Sequence, residues 1–294
     1  MRAVHHRLAD EHSLGRTTGS GARGAGRRRG QGHHRHRRNP RRNLVKRLAA
    51  TLSVAALLAG CSPTTTDAPS SAALTVFAAA SLKNTFTELG ARFETDNPGT
   101  TVTFNFAGSS DLLAQLAQGA PADVFASADT DTMTKASDAG LVAGPPVNFA
   151  TNTLTIVTPP GNPRRIASFA DLAKPDTQVV VCAPQVPCGS ATEKVERAAG
   201  IQLSPVSEES AVTDVLGKIT SGQADAGLVY VTDAAGAGDK VTAVAFPESA
   251  EAVNTYPIAV PKDAANPQAA QAFIDLVTGP SGQDVLTSAG FTAP

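Results

Sequence analysis

Leu74-Thr-Val-Phe-Ala-Ala-Ala80-Ser81-Leu82-Lys-Asn-Thr-Phe86-Thr-Glu-Leu89-Gly-Ala-Arg-Phe93 is the stretch that decides the fold. Residues 74–78 form a short apolar run without strict alternation, as expected of a strand covered on both faces. Beyond Ala80 the period changes. Leu82, Phe86, Leu89 and Phe93 recur at steps of four, three and four, which puts them on one face of a helix. A strand that passes straight into a helix, with a serine at the turn, is the repeating unit of an α/β protein.

The same unit recurs outward from this stretch. Residues 101–106, 123–127, 154–158, 179–183, 226–230, 241–246 and 256–260 read as further strands. Helical patterns lie between them. One covers 111–118, with Leu112, Leu113 and Leu116 inside and Gly119 as a stop. Another opens on Ser190-Ala-Thr-Glu193, which reads as a capping box, and stops at Gly200. Val212, Val215, Leu216 and Ile219 form a further face, and 267–277 and 282–289 read as two closing helices. The expected fold class is α/β, mostly parallel sheet with helices on both faces, in one large domain or two lobes.

In open α/β sheets, ligands sit beyond the carboxyl ends of strands, where helices begin. Four junctions of that kind are visible: Phe77 to Leu82 around Ser81, Phe106 to Asp111 around Ser109, Val186 to Ser190 around Cys188, and Ser210 to Val212. A helix N-terminus offers unpaired amides and the positive end of a dipole, which suits an anion. Serine hydroxyls add donors without adding charge, and no Lys or Arg occurs within the four junctions. Each serine taken alone also fits ordinary helix capping; the combination points to a site. Tyr230, at a predicted strand end, would add a phenol donor, or else be a core tyrosine with a satisfied hydroxyl.

Charge is unevenly distributed. Residues 1–47 hold 14 of the 25 Lys+Arg, all six His and only two acids, which leaves 11 basic against 24 acidic residues in the rest of the 294-residue chain. Without histidine after residue 48, imidazole-assisted nucleophilic catalysis is excluded from the globular part. With only Cys61, Cys182 and Cys188, a Cys/His metal cage is excluded as well. Asp123 and Asp129 lie near a strand end but read as structural, since carboxylates facing an anion would repel it. Gly19-Ser-Gly-Ala-Arg-Gly24 and Gly236-Ala-Gly-Asp-Lys240 imitate phosphate loops but lack the strand and helix context or the spacing.

Lys46-Arg47 precede an apolar run, 48–59, that is shorter than the roughly 20 residues of a membrane span but suits the core of a signal peptide. It ends Leu58-Ala59-Gly60-Cys61, which resembles the bacterial lipobox and implies lipidation of Cys61. The expected organisation is a signal peptide over 45–60 and a lipidated, polar tether over 61–73. Residues 1–44 are expected to be a disordered basic arm or to precede the true start of translation; with no aromatic residues to stack on bases, the arm predicts no nucleic-acid partner.

Val76-Phe-Ala-Ala-Ala-Ser-Leu82, Phe106-Ala-Gly-Ser-Ser110, Gly119-Ala-Pro-Ala-Asp-Val-Phe-Ala-Ser-Ala-Asp129 and Gly227-Leu-Val-Tyr-Val-Thr-Asp-Ala234 together resemble the molybdate-binding proteins of ABC importers. The resemblance runs from about Leu74 to Phe291. It implies a type II periplasmic-binding-protein fold, with lobe one at 74–152 and 253–294 and lobe two at 153–252, closing over an oxyanion by hinge motion. It further implies that Ser81 and Ser109 offer amide and hydroxyl, Cys188 and Val212 their amides, and Tyr230 its phenol. Molybdenum would be held as its oxyanion, without direct metal ligands, cofactor or catalysis. Alanine is common in that family where Cys188 stands, and a Cys182–Cys188 disulfide and two separate thiols both remain open. The partners expected are molybdate or tungstate, a permease with a cytoplasmic ATPase, and the outer face of the membrane through the lipid alone; a monomer is expected. A binder of another oxyanion such as sulfate, and a surface interaction lipoprotein without a small ligand, are the alternatives.

Overall fold

From Ala73 the chain alternates strand and helix; the computed structural model describes residues 73–294. The signal peptide, Cys61, the basic arm and the tether up to residue 72 fall outside the described residues; Ala73, expected to end the tether, opens the first strand. The elements run β1 (Ala73–Ala79), α1 (Lys83–Asp96), β2 (Thr101–Ala107), α2 (Ser109–Ala117), β3 (Val124–Ala126), α3 (Thr130–Asp138), β4 (Val147–Asn152) and β5 (Leu154–Thr158). They continue with β6 (Val179–Cys182), α4 (Pro187–Ala199), β7 (Ser207–Glu209), α5 (Val212–Thr220), β8 (Ala226–Tyr230) and α6 (Val231–Ala237). Last come β9 (Thr242–Val244), β10 (Asn254–Ala259), α7 (Pro267–Thr278) and α8 (Pro280–Ser288).

Two five-stranded sheets result, ordered β2-β1-β3-β10-β4 and β7-β6-β8-β5-β9. In the first, β1 is parallel to β2 and β3, while β10 runs antiparallel to β3 and β4. In the second, β6 is parallel to β7 and β8, while β5 runs antiparallel to β8 and β9. One strand per sheet is therefore reversed against the other four. The reversed strands are the two that receive the chain as it changes sheets: β4 passes through Thr153 into β5, and the segment after β9 returns into β10. Asn254 pairs with Asn152, so the two crossings lie side by side.

The apolar patterns account for the packing. Val76 and Phe77 in the centre of the first sheet are buried, and so are Leu82, Phe86, Leu89 and Phe93 on one face of α1 and its lead-in turn. Phe86 and Phe93 pack edge-on against Phe273 of α7, with ring centroids 5.8 and 5.5 Å apart. Burying a side chain of this size contributes about 1.5–3 kcal/mol.

The structure departs from the sequence reading in several places. β4, β7, α3 and α6 carry no clear apolar period: β4 includes Asn148 and Asn152, and β7 is Ser-Glu-Glu. The capping box at Ser190–Glu193 is not formed. α4 starts four residues earlier, with Val186 as its cap and Pro187 as its first residue, and the Ser190 amide already donates to the Val186 carbonyl at 2.9 Å. Proline at the first helical position, with its preset φ and missing N–H, outweighs a cap placed three residues on.

Candidate functional site

Four helix starts face one another where the sheets meet. A single 3-10 turn, Ala80–Leu82, carries Ser81 from β1 into α1. Gly108 caps α2 and Ser109 is its first residue; Val186 caps α4, with Cys188 second in the helix; Ala211 caps α5, with Val212 first. None of the four has a side-chain cap. The contrast is α3, where the Asp129 carboxylate accepts from the Thr132 amide at 2.9 Å. In α2, α4 and α5 the amides of Asp111, Ser190 and Asp214 bond back to the cap carbonyl or its turn. The amides of Ser109, Cys188 and Val212 lie nearer the helix end and are the orphan donors of those ends.

All five residues singled out in the sequence, Ser81, Ser109, Cys188, Val212 and Tyr230, border the same cavity. Its other walls are Ala, Gly, Val, Pro and Ser residues, with no acidic or basic side chain. A wider groove on the flank shares Ser81 but is lined by Lys83, Lys240, Asp233 and several threonines. The smaller cavity gathers all four of these helix starts and has no charged side chain in its walls, and on that ground it is the candidate site.

Behind the cavity lies a hydrogen-bonded layer that sequence reasoning missed. The Ser109 hydroxyl accepts from the Ala128 amide at 3.0 Å. The Tyr230 hydroxyl accepts from Asn254 Nδ2 at 3.0 Å, and the same amide group donates to the Ala128 carbonyl at 2.8 Å. Ser81 Oγ lies 3.0 Å from the Tyr256 hydroxyl. Asn152 and Tyr230 are further hydrogen-bonding neighbours of Tyr256, and Asn152 donates to the Thr232 hydroxyl at 2.8 Å. Tyr230 and Tyr256, the only two tyrosines, are fully buried with ring centroids 5.9 Å apart. Burial pushes both phenols well above the ordinary range, so each keeps its proton and remains able to donate. Tyr256 was legible only as a strand residue; its rarity as one of two tyrosines was the available signal.

Asp123 and Asp129 are structural. Asp123 accepts from the amides of Thr75 and Asn266, each at 2.8 Å, and Asp129 caps α3. Asp233, in α6 directly after Tyr230, accepts from the Tyr230 amide at 3.1 Å, and burial raises its carboxyl to about 7.

The two halves touch across the cavity mouth. The Ser110 hydroxyl donates to the Gln185 carbonyl at 2.7 Å. A Cβ on Gly108 would stand 2.1 Å from the Ser210 carbonyl oxygen, so only glycine permits this approach. Cys182 and Cys188 are joined by a disulfide, Cα to Cα 5.6 Å, which staples the loop that presents Gln185 and the Cys188 amide. Gly189 is required in the same place, because a Cβ there would lie 1.9 Å from the Ala183 carbonyl oxygen.

Known proteins resemble this chain in sequence and in fold. Residues 74–292 match the family of bacterial extracellular solute-binding proteins. The chain is 53% identical over 252 residues to the molybdate-binding protein ModA of Mycobacterium tuberculosis, covering 84% of this chain and 97% of that one. Among solved structures, the periplasmic molybdate-binding protein of Azotobacter vinelandii superposes with a TM-score of 0.66 at 24% identity, covering 75% and 99% of the two chains. The sulfate-binding protein SubI of M. tuberculosis gives 0.62 at 22% identity, covering 76% and 87%; at these identities the two structures speak for the fold alone. The chain thus belongs to the bacterial extracellular solute-binding proteins, a family of binding proteins rather than enzymes, with a molybdate-binding protein among its relatives.

Proposed function

We propose that this protein binds molybdate, and tungstate with it, outside the cytoplasm and delivers it to the permease of an ABC importer as a monomer held to the membrane by a lipid on Cys61. The observation that carries the reading is the cavity bordered by helix starts from both halves, rich in neutral donors and free of charged side chains. Its ligand set is Ser81, Ser109, Cys188, Val212 and Tyr230. The 53% identity to a molybdate-binding protein supports the same ligand. Among the described residues no helix is long and apolar enough to cross a membrane, which leaves attachment to the segment before Ala73.

Neutral donors suit a fully deprotonated tetrahedral dianion. Phosphate keeps a proton near neutral pH, and in a dry donor-only site that proton has no acceptor, at a cost of about 1–3 kcal/mol. Sulfate carries no proton and is excluded by its smaller size, which leaves donors too far from its oxygens. Molybdate and tungstate are nearly equal in size and are not distinguished.

Thermal unfolding with each oxyanion added separately tests the reading. A ligand at 100 times its dissociation constant stabilises the folded state by about 2.7 kcal/mol, which raises Tm by about 5–10 °C in a domain of this size. The expected outcome is a shift with molybdate and tungstate alone, reduced in Ser81→Ala and Ser109→Ala. A shift with sulfate or phosphate in their place would reassign the ligand, and indifference to every oxyanion would favour a surface interaction protein.

A further inference from the structure

The donors at the site are of two kinds. Backbone amides can only donate. Hydroxyls can donate or accept, and a site containing three of them could turn any one around to accept the proton of a protonated anion. What decides their direction is the layer behind them, and each of the three has a partner there. The Ala128 amide donates to Ser109, and Asn254 donates to Tyr230, each at 3.0 Å. Both partners are obligatory donors, so both hydroxyls receive from behind. The third, Ser81, faces a partner that could act either way, the Tyr256 hydroxyl at 3.0 Å.

Tyr256 has one proton to give. It is fully buried, and its ring is held edge-on by Phe149, Tyr230 and Phe291, so its hydroxyl has a fixed position. Its other hydrogen-bonding neighbours are Asn152, whose side-chain amide donates to the Thr232 hydroxyl, and the Tyr230 hydroxyl, which already receives from Asn254. Ser81 Oγ, 3.0 Å away, receives from no other group among the described hydrogen bonds, so it is the acceptor open to the Tyr256 proton.

We propose that Tyr256 is a specificity-determining positioning residue: by donating to Ser81 it turns the serine proton toward the cavity and completes a layer, with Asn254 and the Ala128 amide, that fixes all three hydroxyls as donors and so rejects oxyanions carrying a proton. The proposal rests on the oxyanion reading and deepens it. Tyr256 acts through Ser81 and does not itself border the cavity. Without it the serine is free to rotate and accept.

Isothermal titration of the wild-type protein, Tyr256→Phe and Tyr230→Phe with molybdate and with inorganic phosphate, at about pH 6 and about pH 8, tests this, since phosphate carries more protons at the lower pH. Tyr256→Phe keeps the ring and its packing. It is expected to weaken molybdate binding by about tenfold and to lower the molybdate-to-phosphate affinity ratio by more than that, the gain for phosphate being larger at the lower pH. Tyr230→Phe removes a donor and creates no acceptor, so it should weaken both anions without moving the ratio toward phosphate. A Tyr256→Phe protein that melts like wild type without ligand and keeps the wild-type ratio overturns the proposal. Should that variant not fold, Asn254→Asp, which puts an acceptor where a donor stood behind Tyr230, is expected to lower the same ratio, and an unchanged ratio overturns the proposal equally. Wild-type protein that ignores molybdate would instead remove the oxyanion reading on which it stands.

Discussion

Asp233 holds the backbone of Tyr230 from inside α6, and the burial that lets it do so raises its carboxyl from an ordinary 3.8 to about 7. In the unfolded chain the same group ionises near its ordinary value. Between those two values the folded protein binds a proton that the unfolded chain has released. The stability contributed by the neutral carboxyl is therefore fully present below about pH 4 and is lost as pH rises toward about 7. Asp233→Asn retains an oxygen to accept from Tyr230 but does not titrate. Melting curves across this range should show wild type losing ground to the variant by up to a few kcal/mol as pH rises; parallel curves would mean that the carboxyl is not perturbed. Residues of this kind divide by how much context they need. Ser81, Ser109 and Tyr230 stood out because each lies at a boundary between an apolar run and a helical period, which is a local signal; Cys188 and Val212 lie at such boundaries too, but the family resemblance was needed to single them out. Tyr256 did not, because its meaning comes from a contact with Ser81 across 175 residues of sequence.

Among elements, the start of α4 shows what local rules can and cannot deliver. Pro187, Gly189 and the Cys182–Cys188 bond confine one turn of chain from three directions. Closing so short a loop stabilises by about 2 kcal/mol on the chain-entropy account. Reduction should lower Tm by about 4–8 °C and weaken anion binding along with it, since the Cys188 amide and the Gln185 carbonyl lose their tether. Calorimetry with and without reductant checks both; equal affinity in the two states would confine the disulfide to stability. The sequence showed two cysteines six apart but not whether their Cα atoms met. Its box pattern also points to a helix cap at Ser190, which the preset φ of Pro187 overrides. Strand direction was hidden for a related reason: an apolar run looks the same whichever way its neighbours run, so the reversal of β5 and β10 came only with the sheets.

At the scale of the whole molecule, the contact between Gly108 and the Ser210 carbonyl sets how near the halves come. Gly108→Ala places a methyl group 2.1 Å from that oxygen and forces the halves apart at the mouth. Neither half loses a core residue, so Tm without ligand should change little. Apparent affinity falls by the factor through which the closed state is depopulated, on the order of tenfold or more. Titration calorimetry beside a melting curve separates the two effects, and an unchanged affinity would show that closure at this point is not required for binding. The expectation of two lobes and of chain crossings near Asn152 and Asn254 came from the alternation of strands and helices together with the family resemblance, whereas the mutual approach at Gly108 depends on two junctions that are distant in sequence.

The threading of the chain sets an order of events as well as a shape. The second sheet is built wholly from β5 to β9, one continuous stretch, whereas β10 lies inside the first sheet between β3 and β4. A chain emerging from its N-terminus can assemble the second sheet while the first still has a vacant slot beside β3. Closing that slot pairs segments such as Ala128 and Asn254, 126 residues apart, and contacts of such long range are slow to form. Because β10 also brings Asn254 and Tyr256, the hydroxyls at the cavity receive their backing only at this last docking, and the half-made first sheet, with its open edge, is the species most exposed to mispairing on the way.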